Sequence, residues 1–330
     1  MRALREIPAM ALALLLSASL VVPVCAGQQQ QQLPPSQESQ TTIRRGVNLV
    51  NLFATVRDKN RRVVPDLTKD EFRIFEDGKE QKIEFFSREV NLPLTLGLLV
   101  DTSPSEEAMI GVEQDAASRF LARVMRKGDL TFVVSFDSEV DMLSDFTSDV
   151  DRLERAVRRT RVNAASPSGI VQGPIPTTPR GTRFYDAVYL ACHDKLAGEV
   201  GRKALVILTD AEDQGSMVRL EQAIEAAQQS NTVVHIILIS DPNFRGWGGN
   251  GGGVAKKISE ETGGRVIEVR SEKKLEEAFD QITEELRSQY TLGYYPGNNA
   301  RDGSFRKIKV ESTRKDMRIL ARKGYYAPKN

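Results

Sequence analysis

Between residues 92 and 289 short apolar runs alternate with stretches whose apolar side chains recur at helical spacing. The run at 94–100 is continuously apolar, as a strand buried on both faces should be. Further strands are predicted at 130–136, 204–208, 232–239 and 265–269, with a short edge strand at 140–143. Helical patterns fall between them at 106–126, 148–159, 183–197, 216–229, 252–261 and 273–289. Such alternation predicts an α/β fold, a doubly wound and mostly parallel sheet with helices on both faces.

On either side the period changes to two. Val50, Leu52, Ala54 and Val56 share one face, and Thr68 to Glu71 has the form of a capping box. Asp77-Gly78 lies between strand-like stretches at 73–76 and 82–85, a hairpin signal. After residue 289, strands are expected at 290–295, 305–310 and 317–322, with turn chemistry at 296–299 and Asp302-Gly303. The flanks, 44–91 and 290–330, are each too short to enclose a stable core. They are therefore expected to join into one small β unit, a sheet or sandwich, with the 92–289 domain inserted between them.

Compartment and partners are bounded next. Arg2 and Arg5 precede an apolar stretch at 9–24 that ends in Val24-Cys25-Ala26, the pattern of a secretory signal peptide over 1–26. Residues 27–43 are polar, glutamine-rich and proline-bearing, a disordered linker by composition. The expected location is outside the cell, or in the periplasm or cell envelope. An uncleaved anchor, or lipidation at Cys25, would place it at a membrane. Lys plus Arg number 46 and Asp plus Glu 45, so no basic surface points to nucleic acid. Two cysteines exclude a disulfide framework.

In open α/β sheets, functional residues gather at the carboxyl ends of strands. There, after the first buried strand, stands Asp101-Thr102-Ser103-Pro104-Ser105. A second acid, Asp210, follows the strand at 204–208, and Gly181-Thr182 opens a helix between the two. By itself D-x-S-x-S also reads as a helix N-cap with turn residues. In this order and position, however, the chain resembles the von Willebrand factor type A domain with its metal-ion-dependent adhesion site. The residues that match are Asp101, Ser103, Ser105, Thr182 and Asp210. The outer segments look like those flanking this domain in a family of secreted bacterial proteins frequent in Acidobacteria.

The resemblance implies a Mg²⁺ or Mn²⁺ ion held by hydroxyls of Ser103, Ser105 and Thr182, with Asp101 and Asp210 supplying charge through water. Magnesium requires near-octahedral oxygen coordination and retains waters, which suits this donor set. In that family an acidic side chain of the partner completes the shell. The expected function is thus an exported, non-enzymatic adhesion protein whose partner is a protein supplying an Asp or Glu carboxylate. The alternatives are a metal-free scaffold of an envelope assembly, or a metal-assisted hydrolase with Glu212 or Asp213 as base.

Other features carry less. Gly246-x-Gly248-x-x-Gly251 matches a dinucleotide fingerprint only on paper, because Asp241 to Arg245 separate it from the preceding strand. The stretch 246–253 reads as a flexible loop in which Trp247 could touch a partner. His235 reads as a core residue, and Cys192 and His193 lack the neighbours a catalytic or zinc site needs. Arg306, Lys307 and Lys309 with Tyr294 and Tyr325 fit either a basic-aromatic face or simple strand alternation.

Overall fold

The computed structural model describes residues 49–88, 92–162, 181–239 and 251–329. The expected signal peptide, the linker and Trp247 lie outside the described residues.

Six strands form the central sheet: β5 (Leu94–Asp101), β6 (Leu130–Phe136), β7 (Val140–Thr147), β8 (Arg202–Thr209), β9 (Thr232–Ile239) and β10 (Val266–Val269). Their spatial order is β10-β9-β8-β5-β6-β7, parallel throughout except for β7, the antiparallel edge. The chain winds one way from β5 through β6 to β7 and the other way from β8 to β10. The switch point therefore lies where β5 meets β8.

Side-chain alternation along β5 explains why its sequence is uninterruptedly apolar. Leu96, Leu98 and Val100 face a core formed with α1 (Ile110–Val124), α2 (Val150–Val157) and α6 (Glu272–Arg287). Leu99 faces the opposite core, with α3 (Phe184–Leu190), α4 (Leu220–Gln229) and α5 (Gly251–Thr262). Phe120 of α1 and Phe279 of α6 stack with ring centroids 4.6 Å apart, fastening two helices on one face. No helix among the described residues is long and apolar enough to cross a membrane.

The flanking segments meet, as their size required. β1 (Val50–Arg57) pairs antiparallel with β11 (Tyr290–Tyr294), placing Val50 opposite Tyr294. β2 (Phe72–Glu76) pairs with β12 (Phe305–Ser312), placing Ile74 opposite Val310. With β3 (Lys79–Gln81), β4 (Ile83–Ser87), β13 (Arg318–Leu320) and β14 (Gly324–Tyr326) they make two four-stranded sheets, β13-β1-β11-β4 and β14-β12-β2-β3. Leu52, Val56, Ile74, Tyr290, Leu292 and Ile308 from both sheets share one core, so the unit is a sandwich.

The hairpin expectation needs correction. Asp77 and Gly78 both adopt positive φ, and the turn they form joins β2 to the short β3, with Glu76 opposite Lys79. The stretch expected as the second arm, β4, instead leaves at Lys82 and pairs with β11 in the other sheet. One strand arm is thus split between the sheets, an outcome that turn chemistry alone does not predict. Arg306 and Tyr294 are buried while Lys307 and Lys309 are exposed, which is strand alternation and not a basic-aromatic face.

Candidate functional site

Asp101 ends β5 and Asp210 follows β8, so the switch point brings the two acids together above adjacent strands. In open α/β sheets ligands bind in the crevice at such a point. Asp101 is fully buried. The Ser103 N–H donates to its Oδ1 at 2.9 Å and the Thr209 hydroxyl to its Oδ2 at 2.5 Å. Thr209 Oγ1 also accepts from Ala211 N–H, at 2.9 Å, which leaves its own proton for Asp101. Burial nevertheless dominates, and with repulsion from Asp210 it pushes the Asp101 carboxyl up to about 7 against the bonds from Ser103 and Thr209.

Ser103 and Ser105 flank Pro104 in a short 3-10 turn that leads to α1. If Ser103 served only as an N-cap, its hydroxyl would accept a backbone N–H. It makes no such bond and lies 2.9 Å from Ser105 Oγ. Two hydroxyls beside two carboxylates form an all-oxygen donor set of the kind hard divalent cations take. Thr182 sits on the neighbouring loop, where its carbonyl accepts from the N–H groups of Gln214 (3.0 Å) and Gly215 (3.2 Å). Glycine is required at 181 and 215, since a Cβ on either would press into the other loop's backbone. The loop bearing Thr182 is thereby held against the one that follows Asp210.

The glycine-rich stretch also needs correction: Gly251 to Gly253 form the first turn of α5 rather than a flexible loop. A Cβ on Gly251 would collide with the Asp210 carbonyl oxygen, so the bare backbone lets α5 pack against the site. Gly251 N–H donates to Glu212 Oε1 at 3.0 Å. Asp213 Oδ1 accepts from Tyr185 N–H at 3.1 Å and from the Ser216 hydroxyl at 2.5 Å. Both acids considered as a hydrolytic base are thus engaged in fastening loops. Away from the site, Cys192 is buried in a helix, and His193 stacks on Tyr189 at 5.0 Å.

Sequence reasoning passed over Glu106 and Glu113. Glu106 ends the 3-10 turn and is 1% exposed; Glu113, seven residues later in α1, is also 1% exposed. One carboxylate oxygen each from Asp101, Glu106 and Asp210 lie within 4.8 Å of one another. Burial raises both carboxyls well above the usual range; repulsion from Glu113, Asp101 and Asp210 adds to it at Glu106, while at Glu113 repulsion from Asp101 adds to it against a hydrogen bond from Glu106. Spacing of seven on the face that carries Ala116, Ala117 and Phe120 was the available signal, since it places both acids toward the core.

No protein-family model matches the chain, and no curated protein matches it. Among solved structures, it is similar to the conserved hypothetical protein BatB from Bacteroides thetaiotaomicron, at 17% identity over 59% of this chain and 100% of that one, with a TM-score of 0.43. It is similar to a von Willebrand factor type A protein from Catenulispora acidiphila at 14% identity, over 79% of this chain and 74% of that one, with a TM-score of 0.46. A third is the mussel byssus proximal thread matrix protein 1 with a zinc-occupied metal-ion-dependent adhesion motif, at 15% identity and a TM-score of 0.47. There 64% of this chain spans 49% of that one. The fold stands on the strand order itself, a mostly parallel six-stranded sheet with helices on both faces.

Proposed function

We propose that this chain is an exported binding protein that captures an acidic group of a partner protein through a divalent cation, Mg²⁺ or Mn²⁺. The observation that carries the reading is the meeting of Asp101 and Asp210 at the switch point, beside the Ser103 and Ser105 hydroxyl pair. Asp101, Ser103, Ser105 and Asp210 would hold the ion, with Thr182 joining from the loop packed beside them. A bound cation would supply a Lewis-acidic point of attachment for a carboxylate. Glu212 and Asp213 each hold a loop in place through one carboxylate oxygen, a structural use that favours binding over hydrolysis.

Thermal unfolding of the full chain in EDTA, Mg²⁺ or Mn²⁺ tests the metal. An ion present at 100 times its Kd stabilises a folded protein by about 2.7 kcal/mol. That corresponds to a rise of several degrees, which Asp101→Ala should abolish. Acetate, as a stand-in carboxylate, should add a further rise with metal and none in EDTA. No metal-dependent rise at millimolar ion would sink the proposal and leave the scaffold reading.

A further inference from the structure

The sequence match assigns five residues to the site, all of them in the turn after β5 or in the loops beside it. The structure adds a carboxylate from beneath. Glu106 is 1% exposed, one of its oxygens shares the cluster formed with Asp101 and Asp210, and its Oε2 has no hydrogen-bond donor. Glu113 lies behind it, also buried; the two carboxyls meet each other, and no backbone N–H, hydroxyl or basic group donates to Glu106 Oε2 or to either oxygen of Glu113. No lysine, arginine or histidine forms an ion pair with Asp101, Glu106, Glu113 or Asp210 among the described residues. The turn leading into α1 could have filled position 106 with an apolar side chain, as α1 does at Ala116, Phe120 and Leu121. A buried carboxyl without a donor or a counter-ion is costly unless something absent from the polypeptide satisfies it.

We infer that Glu106 is a direct ligand of the cation, which makes the site a three-carboxylate centre of Asp101, Glu106 and Asp210 closed on its inner side. The inference rests on the proposed metal site and changes its character. Oxygens within 4.8 Å of one another can be bridged by a cation with bonds of about 2.0–2.6 Å. Glu106 comes from the core side, so it leaves the solvent side to the partner. Three carboxylates outweigh the two positive charges of the ion. The site therefore holds metal more tightly, and attracts an incoming acid less strongly, than one with two aspartates. Glu106 serves as the inner anchor of the metal, in the same short turn as the hydroxyls of Ser103 and Ser105.

Isothermal titration with Mn²⁺ and Mg²⁺ on the full chain tests this, comparing wild type with Glu106→Gln, Glu113→Gln and Asp101→Ala. Glu106→Gln keeps the shape of the side chain and removes the strong ligand. It should lower Mn²⁺ affinity at least tenfold, with the melting transition in EDTA showing that the variant remains folded. Acetate should then bind its metal-loaded form more tightly than it binds the wild type. Glu113→Gln should leave metal affinity within about threefold. If Glu106→Gln binds Mn²⁺ within twofold of wild type while Asp101→Ala does not bind, Glu106 is no ligand and the five-residue site stands. If Glu113→Gln loses as much affinity as Glu106→Gln, the effect is general charge and the inference fails. If Asp101→Ala binds like wild type, the metal site itself is wrong.

Discussion

Glu285 of α6 is fully buried; it accepts from Arg57 of β1 and forms an ion pair with Arg265, just ahead of β10, at 2.6 Å. His235 of β9 lies 3.6 Å from its other oxygen. The carboxylate therefore ties the sandwich, through β1, to the last helix and the edge of the central sheet. Replacing it by glutamine preserves shape and one acceptor but leaves two guanidinium groups facing each other. Removing one partner of a buried ion pair costs about 3–5 kcal/mol, because the remaining charge is uncompensated. Arg57 retains the Arg61 carbonyl at 2.7 Å and Arg265 retains Gln281 at 2.8 Å, so the lower end applies. At about 2–4 °C per kcal/mol for a large domain, Glu285→Gln should lower the melting temperature by about 6–12 °C. Replacing all three charged groups, as Arg57→Met, Arg265→Met and Glu285→Met together, should recover at least half of that loss, since apolar substitutes carry no desolvation penalty. Calorimetry of the three proteins at neutral pH is the assay. A shift below 2 °C for Glu285→Gln, or a triple variant less stable than the single one, would refute the account.

His235 supplies a pH test of the same cluster. Burial, aided by repulsion from Arg265 and Arg57, depresses its imidazole from 6.5 to about 3. The folded protein keeps it neutral while the unfolded chain takes up a proton, so its contribution is complete above pH 6.5 and is lost as pH falls toward 3. The loss should reach about 5 kcal/mol at the acid limit. Urea unfolding of wild type and His235→Leu at pH 7 and pH 4 should show the difference between them shrinking with acid; a constant difference would contradict the assignment. Gly251→Ala should push α5 away from the Asp210 carbonyl. The expected result is a stability loss of about 1–3 kcal/mol, typical of overpacking, with metal affinity at least fivefold weaker by titration. An unchanged affinity would show that α5 does not position Asp210.

Those tests separate what could be read along the chain from what only the folded chain shows. The central sheet was legible because burial on both faces writes itself as unbroken apolar runs, and β5, β8 and β9 carry such runs. Asp101, Ser103, Ser105 and Asp210 were legible for a related reason: they follow those runs directly, where a doubly wound sheet places its crevice. Thr182 was assigned through the resemblance alone, and the position of its loop depends on Gly181 and Gly215 letting two loops touch. The path of β4 was not legible, since pairing with β11 joins residues about two hundred positions apart. The buried Glu285 cluster draws Arg57, His235, Arg265 and Glu285 from four separate segments, and no local pattern links them.

Glu106 was missed for the opposite reason. It directly follows the motif, but a glutamate in the first turn of a helix is the ordinary, solvated choice beside the positive end of the helix dipole. Only its burial beside Asp101 and Asp210, with Glu113 behind it and no cation among the described residues to neutralise them, sets it apart. Such an arrangement is unstable in the absence of a ligand and favourable in its presence. Folding stability and metal occupancy should therefore be coupled here more tightly than in a site built from hydroxyls and two aspartates. The same glutamate that lowers the stability of the metal-free chain would then be the residue that makes the metal-loaded chain hold its ion.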